Sequence, residues 1–143
     1  MQGMKCKSAN VHHLFNDSFN KSDMKTAAST LSSSGVTIID EISPHFWEGP
    51  TAFDTWLKAY AAFEKAEGIT DDMYKMGMPT RVVVGSDRGY VALPVVETFN
   101  QKGVAMREAA HMVFTLQKET SGWLITGFTW AGATPKPAAG AAK

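Results

Sequence analysis

The hydrophobic period of this chain changes once, near Met76, from helical spacing to alternation, and few folds accommodate that switch within 143 residues. Downstream, four apolar runs (Thr80 to Gly85, Tyr90 to Phe99, Val104 to Lys118, Trp123 to Ala131) are separated by short stretches rich in turn residues. That pattern predicts an antiparallel meander. Pro94 lacks a ladder donor, so an edge position or a bulge is expected there. The run from Val104 is too long to stay straight, and a long twisted strand is expected to curl around the helices.

Upstream the spacing is helical. Val11, Leu14, Phe15 and Phe19 place one apolar face on a helix ending near Asn20. Asp23 is a plausible N-cap for a second, short helix with Met24, Ala27, Ala28 and Leu31 as its stripe, stopped by Ser32 to Gly35. The β-branched segment Val36 to Ile42 reads as a strand with Val36, Ile38 and Asp40 on one face. Pro44 to Pro50 reads as a loop, and Thr51 to Ala66 as a third helix that Gly68 ends.

Composition narrows the function classes. Fourteen basic and fourteen acidic residues balance, so there is no cationic footprint for nucleic acid or an anionic membrane. Cys6 is the single cysteine, which leaves no intrachain disulfide and no several-cysteine zinc site. No apolar stretch reaches membrane-spanning length and no apolar leader core follows Lys5 and Lys7. The expected compartment is the cytoplasm, or a secreted or periplasmic one if a leader has been removed. Residues 11–133 read as a single domain, 1–10 as an N-terminal extension, and 134–143, with small residues and two prolines, as a disordered tail.

The element order resembles the nuclear transport factor 2-like superfamily, in its SnoaL-like and ketosteroid isomerase-like branch. Asn20 to Asp23 is similar to that superfamily's turn between its first two helices, and Trp47 to Ala52 to its entry into the third helix. The resemblance covers Val11 to Gly132. It implies an α+β, cystatin-like fold in which a cone-shaped, strongly curved antiparallel sheet wraps around three N-terminal helices and leaves an apolar pocket. It also implies a homodimer through the outer sheet face, for which Val83, Val95, Ala109 and Val113 are the expected apolar cover. Asp40 stands nine residues before Gly49, where those isomerases keep their proton-transferring acid. Their two oxyanion donors map to Phe15 and Ala110, neither of which can donate, so steroid isomerisation by that route is not expected.

Asp40, a carboxylate on an apolar strand face, is the first catalytic candidate; its alternative is a structural contact with the loop from Glu41 to His45. Glu108 shares a face with Ala110, Met112, Phe114 and Leu116 and is the second, unless it pairs with Arg107 or Arg81. Phe15, Phe19, Trp56, Tyr60, Met112 and Trp130 are the expected pocket lining, with core packing as the alternative use. His12 and His13 are adjacent, and with His45 and His111 they form no metal-binding spacing; solvent or interface positions are expected for them. Neither a metal nor a cofactor is expected. Two functions stay open: an isomerase, cyclase or lyase acting on a small apolar, cyclic or carbonyl-bearing molecule by acid/base chemistry, and a non-catalytic binding or assembly domain.

Overall fold

The computed structural model describes residues 2–138, with side chains from residue 11 onward. Helix α1 runs Gln2–Asn20, so it includes most of the stretch expected to be an extension. Val11, Phe15 and Ser18 are buried and Phe19 is packed against the core, following the predicted stripe. Leu14 does not follow it: it is 47% exposed, because its position lies on the flank of the buried arc. Helix α2 spans Met24–Ser29, and Asp23 caps it by accepting from the Thr26 amide at 3.2 Å and the Thr26 hydroxyl at 2.6 Å.

Strand β1 is Val36–Ile39, shorter than the β-branched run suggests. It ends because the chain turns back at Asp40, whose amide donates to the His45 carbonyl at 3.1 Å. The expected loop after Pro44 instead contains strand β2, Phe46–Gly49, antiparallel to β1 with Ile38 opposite Trp47. Helix α3 is Ala52–Glu67, ended by Gly68 at φ 69°, a left-handed cap that glycine adopts without a Cβ clash.

Strand β3, Ile69–Met76, is absent from the sequence reading, since its Thr-Asp-Asp segment is poor in strand formers. It holds because it pairs with the long strand β5, and because Asn20 on α1 clasps its backbone from both sides. The Asn20 amide donates to the Tyr74 carbonyl at 2.8 Å and its oxygen accepts from the Tyr74 amide at 2.9 Å. A bulge between Thr70 and Met73 sets two residues, Asp71 and Asp72, against one on the partner strand.

The remaining strands are β4 (Arg81–Val84), β5 (Arg88–Gln101), β6 (Val104–Glu119), β7 (Gly122–Ala131) and β8 (Lys136–Pro137). The sheet order is β2-β1-β7-β6-β5-β3, with β4 also on β5 and β8 on β6. One pairing departs from the expected antiparallel sheet: β1 runs parallel to β7. Pro94 sits neither on an edge strand nor at a bulge: β5 is paired on both sides, and Pro94 falls in the gap between its pairings with β4 and β3, where a missing donor costs no ladder bond and its carbonyl accepts from the Gly77 amide at 2.8 Å. The first residues of the expected tail are ordered, with Lys136 opposite Arg107 and Pro137 opposite Met106; the last five residues of that expectation lie outside the described part.

Alternation divides the sheet. Val91, Leu93, Val95, Glu97 and Phe99 on β5 face inward, as do Glu108, Ala110, Met112, Phe114 and Leu116 on β6. Val95 is therefore core and not outer cover: it is 1% exposed and opposite Ala110. The expected face of Val83, Ala109 and Val113 does lie outside.

Candidate functional site

A cavity of about 120 Å³ remains between the inner face of the sheet and helices α1 and α3. Phe15 and Phe19 of α1, Trp56 and Tyr60 of α3, Met112 of β6 and Trp130 of β7 all line it, and so do Asp40 and Glu108. The eight residues singled out from sequence thus stand around one space. The aromatic rings are mutually braced: Trp56 lies 5.3 Å from Tyr60 and 5.5 Å from Phe128, and Tyr74 meets Trp130 edge-on at 5.5 Å.

Asp40 is placed by the end of β1 and held by directional donors. The Trp56 indole N–H donates to its Oδ2 at 2.8 Å, and the Glu41 amide donates to its Oδ1 at 2.6 Å. Burial raises its pKa above the usual carboxylate range, and those hydrogen bonds, which favour the charged form, work against that rise. His45 in the following turn meets the Asp40 carbonyl at 3.2 Å.

Glu108 is 3% exposed and accepts from the Ala133 amide at 3.0 Å, so it does not serve as a partner for Arg107 or Arg81. Burial first, and then the neighbouring Glu41 carboxyl, push it up to about 7. Glu41 is itself raised by burial and by Asp40. Both carboxyls and the Trp130 indole nitrogen crowd the backbone of Gly132, where a Cβ would stand 2.1 Å from Glu108 Oε2 and 2.6 Å from Glu41 Oε1.

Sequence reading missed several polar members of the wall or its surround, among them Glu64, Asp72, Tyr74 and Glu97. Glu97 faces Glu108 directly across the β5–β6 ladder, and burial pushes it up to about 8. Its signal was available, since it falls in phase with Val91, Leu93 and Val95. Asp72 and Tyr74 had no such signal, because only the β3 bulge turns them inward. The Tyr60 hydroxyl donates to Asp72 and lies 2.6 Å from the Tyr74 hydroxyl, itself 3.4 Å from Asp72. Burial, together with the Asp72 carboxyl, raises Glu64 to about 8 and keeps the Tyr60 phenol well above its ordinary range.

The histidines depart from expectation at one position. His12 is not at the surface: it is 1% exposed, 5.6 Å from the Phe114 ring, and among the described residues neither ring nitrogen has a hydrogen-bond partner. Burial, with His13 beside it, lowers it to about 4, so it is a neutral, apolar-packed imidazole outside the cavity. His111 is exposed on the outer face, as its register predicts.

A curled sheet wrapped on three helices, with a cavity in the cone, is the nuclear transport factor 2-like, cystatin-like fold. Solved structures match the chain on that basis. A hexachlorocyclohexane dehydrochlorinase LinA-type3 from Novosphingobium barchaimii matches with TM-score 0.77 and 12% identity, over 97% of this chain and 92% of that one. A ketosteroid isomerase-like protein from Erwinia carotovora atroseptica matches with TM-score 0.68 and 17% identity, over 91% and 96%. A protein described as NTF2-like with a cystatin-like fold, from Novosphingobium aromaticivorans, matches with TM-score 0.70 and 13% identity, over 99% and 88%. No protein-family model and no curated protein matches the chain. At these identities the likeness is one of fold.

Proposed function

We propose that the cavity binds a small, ring-bearing molecule and that Asp40 and Glu108 act on it by general acid/base chemistry, in an isomerase, cyclase or lyase-like reaction without a metal. The observation that carries this reading is that two carboxyls with different surroundings open on one aromatic-walled space. Asp40, with two donors on its carboxylate, is suited to accept a proton; Glu108, raised to about 7, carries one for part of the time at neutral pH. Separating two carboxyls in this way assigns a base and an acid. The wall rings supply the apolar surface that excludes water and orients a ring.

A second reading, binding without chemistry, draws on Phe15 and Ala110, which leave apolar two positions where the resemblance implies oxyanion donors. Solvent-deuterium exchange separates the two. Small cyclic ketones that raise the melting temperature are incubated with the protein in D2O and followed by proton NMR. The catalytic reading expects exchange next to the carbonyl that Asp40→Asn reduces by about 100-fold, within the range one acid/base group supplies. Binding with no protein-dependent exchange supports the second reading.

Val83 of β4 and Tyr90 opposite it, both exposed on the outer face, support a homodimer through that face. Sedimentation equilibrium of the protein and of Val83→Asp tests it, and a monomer in both sinks it.

A further inference from the structure

The ionisable groups on the cavity wall are of one kind. Asp40, Glu41, Glu64, Glu97 and Glu108 line it, and no Lys, Arg or His is among the described lining residues. Two of these acids are set directly opposite each other on adjacent strands, Glu97 on β5 and Glu108 on β6, both pointing into the space. Like-charged groups in that cross-strand relation destabilise a sheet, and a buried carboxylate without a counter-charge is costlier still. Glu97 is 9% exposed, and the hydroxyl beside it, on Tyr74, has one proton and two other claimants in Tyr60 and Asp72. Glu97 thus faces the cavity with one shared hydroxyl beside it.

Aromatic rings make up a large part of the remaining wall. Phe19 lies 5.7 Å from Trp56, 5.6 Å from Tyr60 and 5.8 Å from Tyr74, and Trp130 closes the set against Tyr74. Ring faces carry negative electrostatic potential and attract cations, most strongly where water is excluded. Rings and acids therefore favour the same sign of charge in the same space. Among the described residues no three of these acids are placed to hold a metal ion, and a space walled by both acids and rings suits an organic cation.

We propose that the molecule bound in this cavity is an organic cation: a small amine whose ammonium centre sits against Glu97 and Glu108 and whose apolar ring lies among Phe19, Trp56, Tyr60 and Trp130. This rests on the reading of the cavity as a small-molecule site and names the chemistry of its ligand. An anionic ligand would meet five carboxyls and, among the described lining residues, no cationic side chain. A neutral one would leave Glu97 and Glu108 opposed, whereas an ammonium between them offsets the charge that either acquires. Binding then displaces protons from these acids into solvent.

The test compares three probes that share a benzyl frame: benzylamine, benzyl alcohol and benzoate, titrated into the full chain at pH 7 by isothermal calorimetry in two buffers of different ionisation enthalpy. Benzylamine is expected to bind at least about tenfold tighter than benzyl alcohol, a difference of about 1.4 kcal/mol. It is expected to release protons on binding, and benzoate is expected not to bind. Glu97→Gln should weaken benzylamine at least about tenfold and leave benzyl alcohol within about twofold. Glu108→Gln carries the same comparison should Glu97→Gln not fold. Benzyl alcohol binding as tightly as benzylamine, with no effect of either variant, overturns the cation while leaving the small-molecule reading in place. Failure of all three probes to bind the folded protein overturns both.

Discussion

The indole nitrogen of Trp56 stands 2.8 Å from Oδ2 of Asp40, tying the residue that follows β1 to the second turn of α3. The bond fixes the direction of the carboxylate and lowers the cost of its charge. Replacing Trp56 with Phe keeps most of the ring packing and removes the donor. The Asp40 pKa should then rise further, since a hydrogen bond to a charged group favours the ionised form. Carbon-13 NMR titration of the Asp40 carboxyl reads it directly, and an unchanged pKa would show that the indole does not tune the acid.

Stability should depend on pH in a way the cavity acids and His12 set together. Glu97 and Glu64 are raised to about 8 and Glu108 to about 7, so between the ordinary carboxylate range and pH 8 the folded state holds more protons than the unfolded state. Stability from these groups is present at low pH and is lost as pH rises. Between pH 6.5 and 8 the fall should be on the order of 2 kcal/mol for Glu97 alone. Urea denaturation across that range measures it, and Glu97→Gln should flatten the slope.

His12 acts in the other direction. Its folded pKa is lowered to about 4 from 6.5, so the unfolded state takes up the proton first and His12 weakens the fold as pH falls from 6.5 to 4. His12→Phe is expected to gain stability relative to the parent at pH 4.5, by roughly 2 kcal/mol more than at pH 7.5. An equal effect at both pH values would mean that the imidazole stays partnered and charged in the folded protein.

The hydroxyls of Tyr60 and Tyr74 share Asp72 and each other. Tyr60→Phe leaves the Asp72 carboxylate with only the longer contact to Tyr74, and should cost about 1 to 3 kcal/mol. Tyr74→Phe should cost less. Because the groups form one network, the double variant should fall short of the sum of the singles by at least about 0.5 kcal/mol, and additivity would argue against a shared network.

Gly132 is the point at which the backbone after β7 passes the carboxyls of Glu41 and Glu108. Gly132→Ala pushes both aside and should destabilise the protein by about 1 to 3 kcal/mol, as overpacking does. Ligand affinity should fall with it, because Glu108 loses the Ala133 amide that orients it. A variant of parental stability and affinity would place Glu108 elsewhere.

The sequence by itself determined the α+β class, three helices, the β5 to β7 meander and the inward face of β6, because period and turn chemistry are local properties of the chain. It also brought Asp40, Glu108 and six lining residues into one expected pocket. Tertiary structure alone decided what depends on pairing between distant segments. Strand β3 exists because β5 and Asn20 receive it, and its bulge aims Asp72 and Tyr74 inward. The parallel contact of β1 with β7 and the capture of Lys136 and Pro137 by β6 are likewise non-local. The opposition of Glu97 and Glu108 required the β5–β6 register. Whether a carboxyl at an inward position is a lone acid or one of several around a cavity is fixed by the cross-strand partner, which no local period encodes.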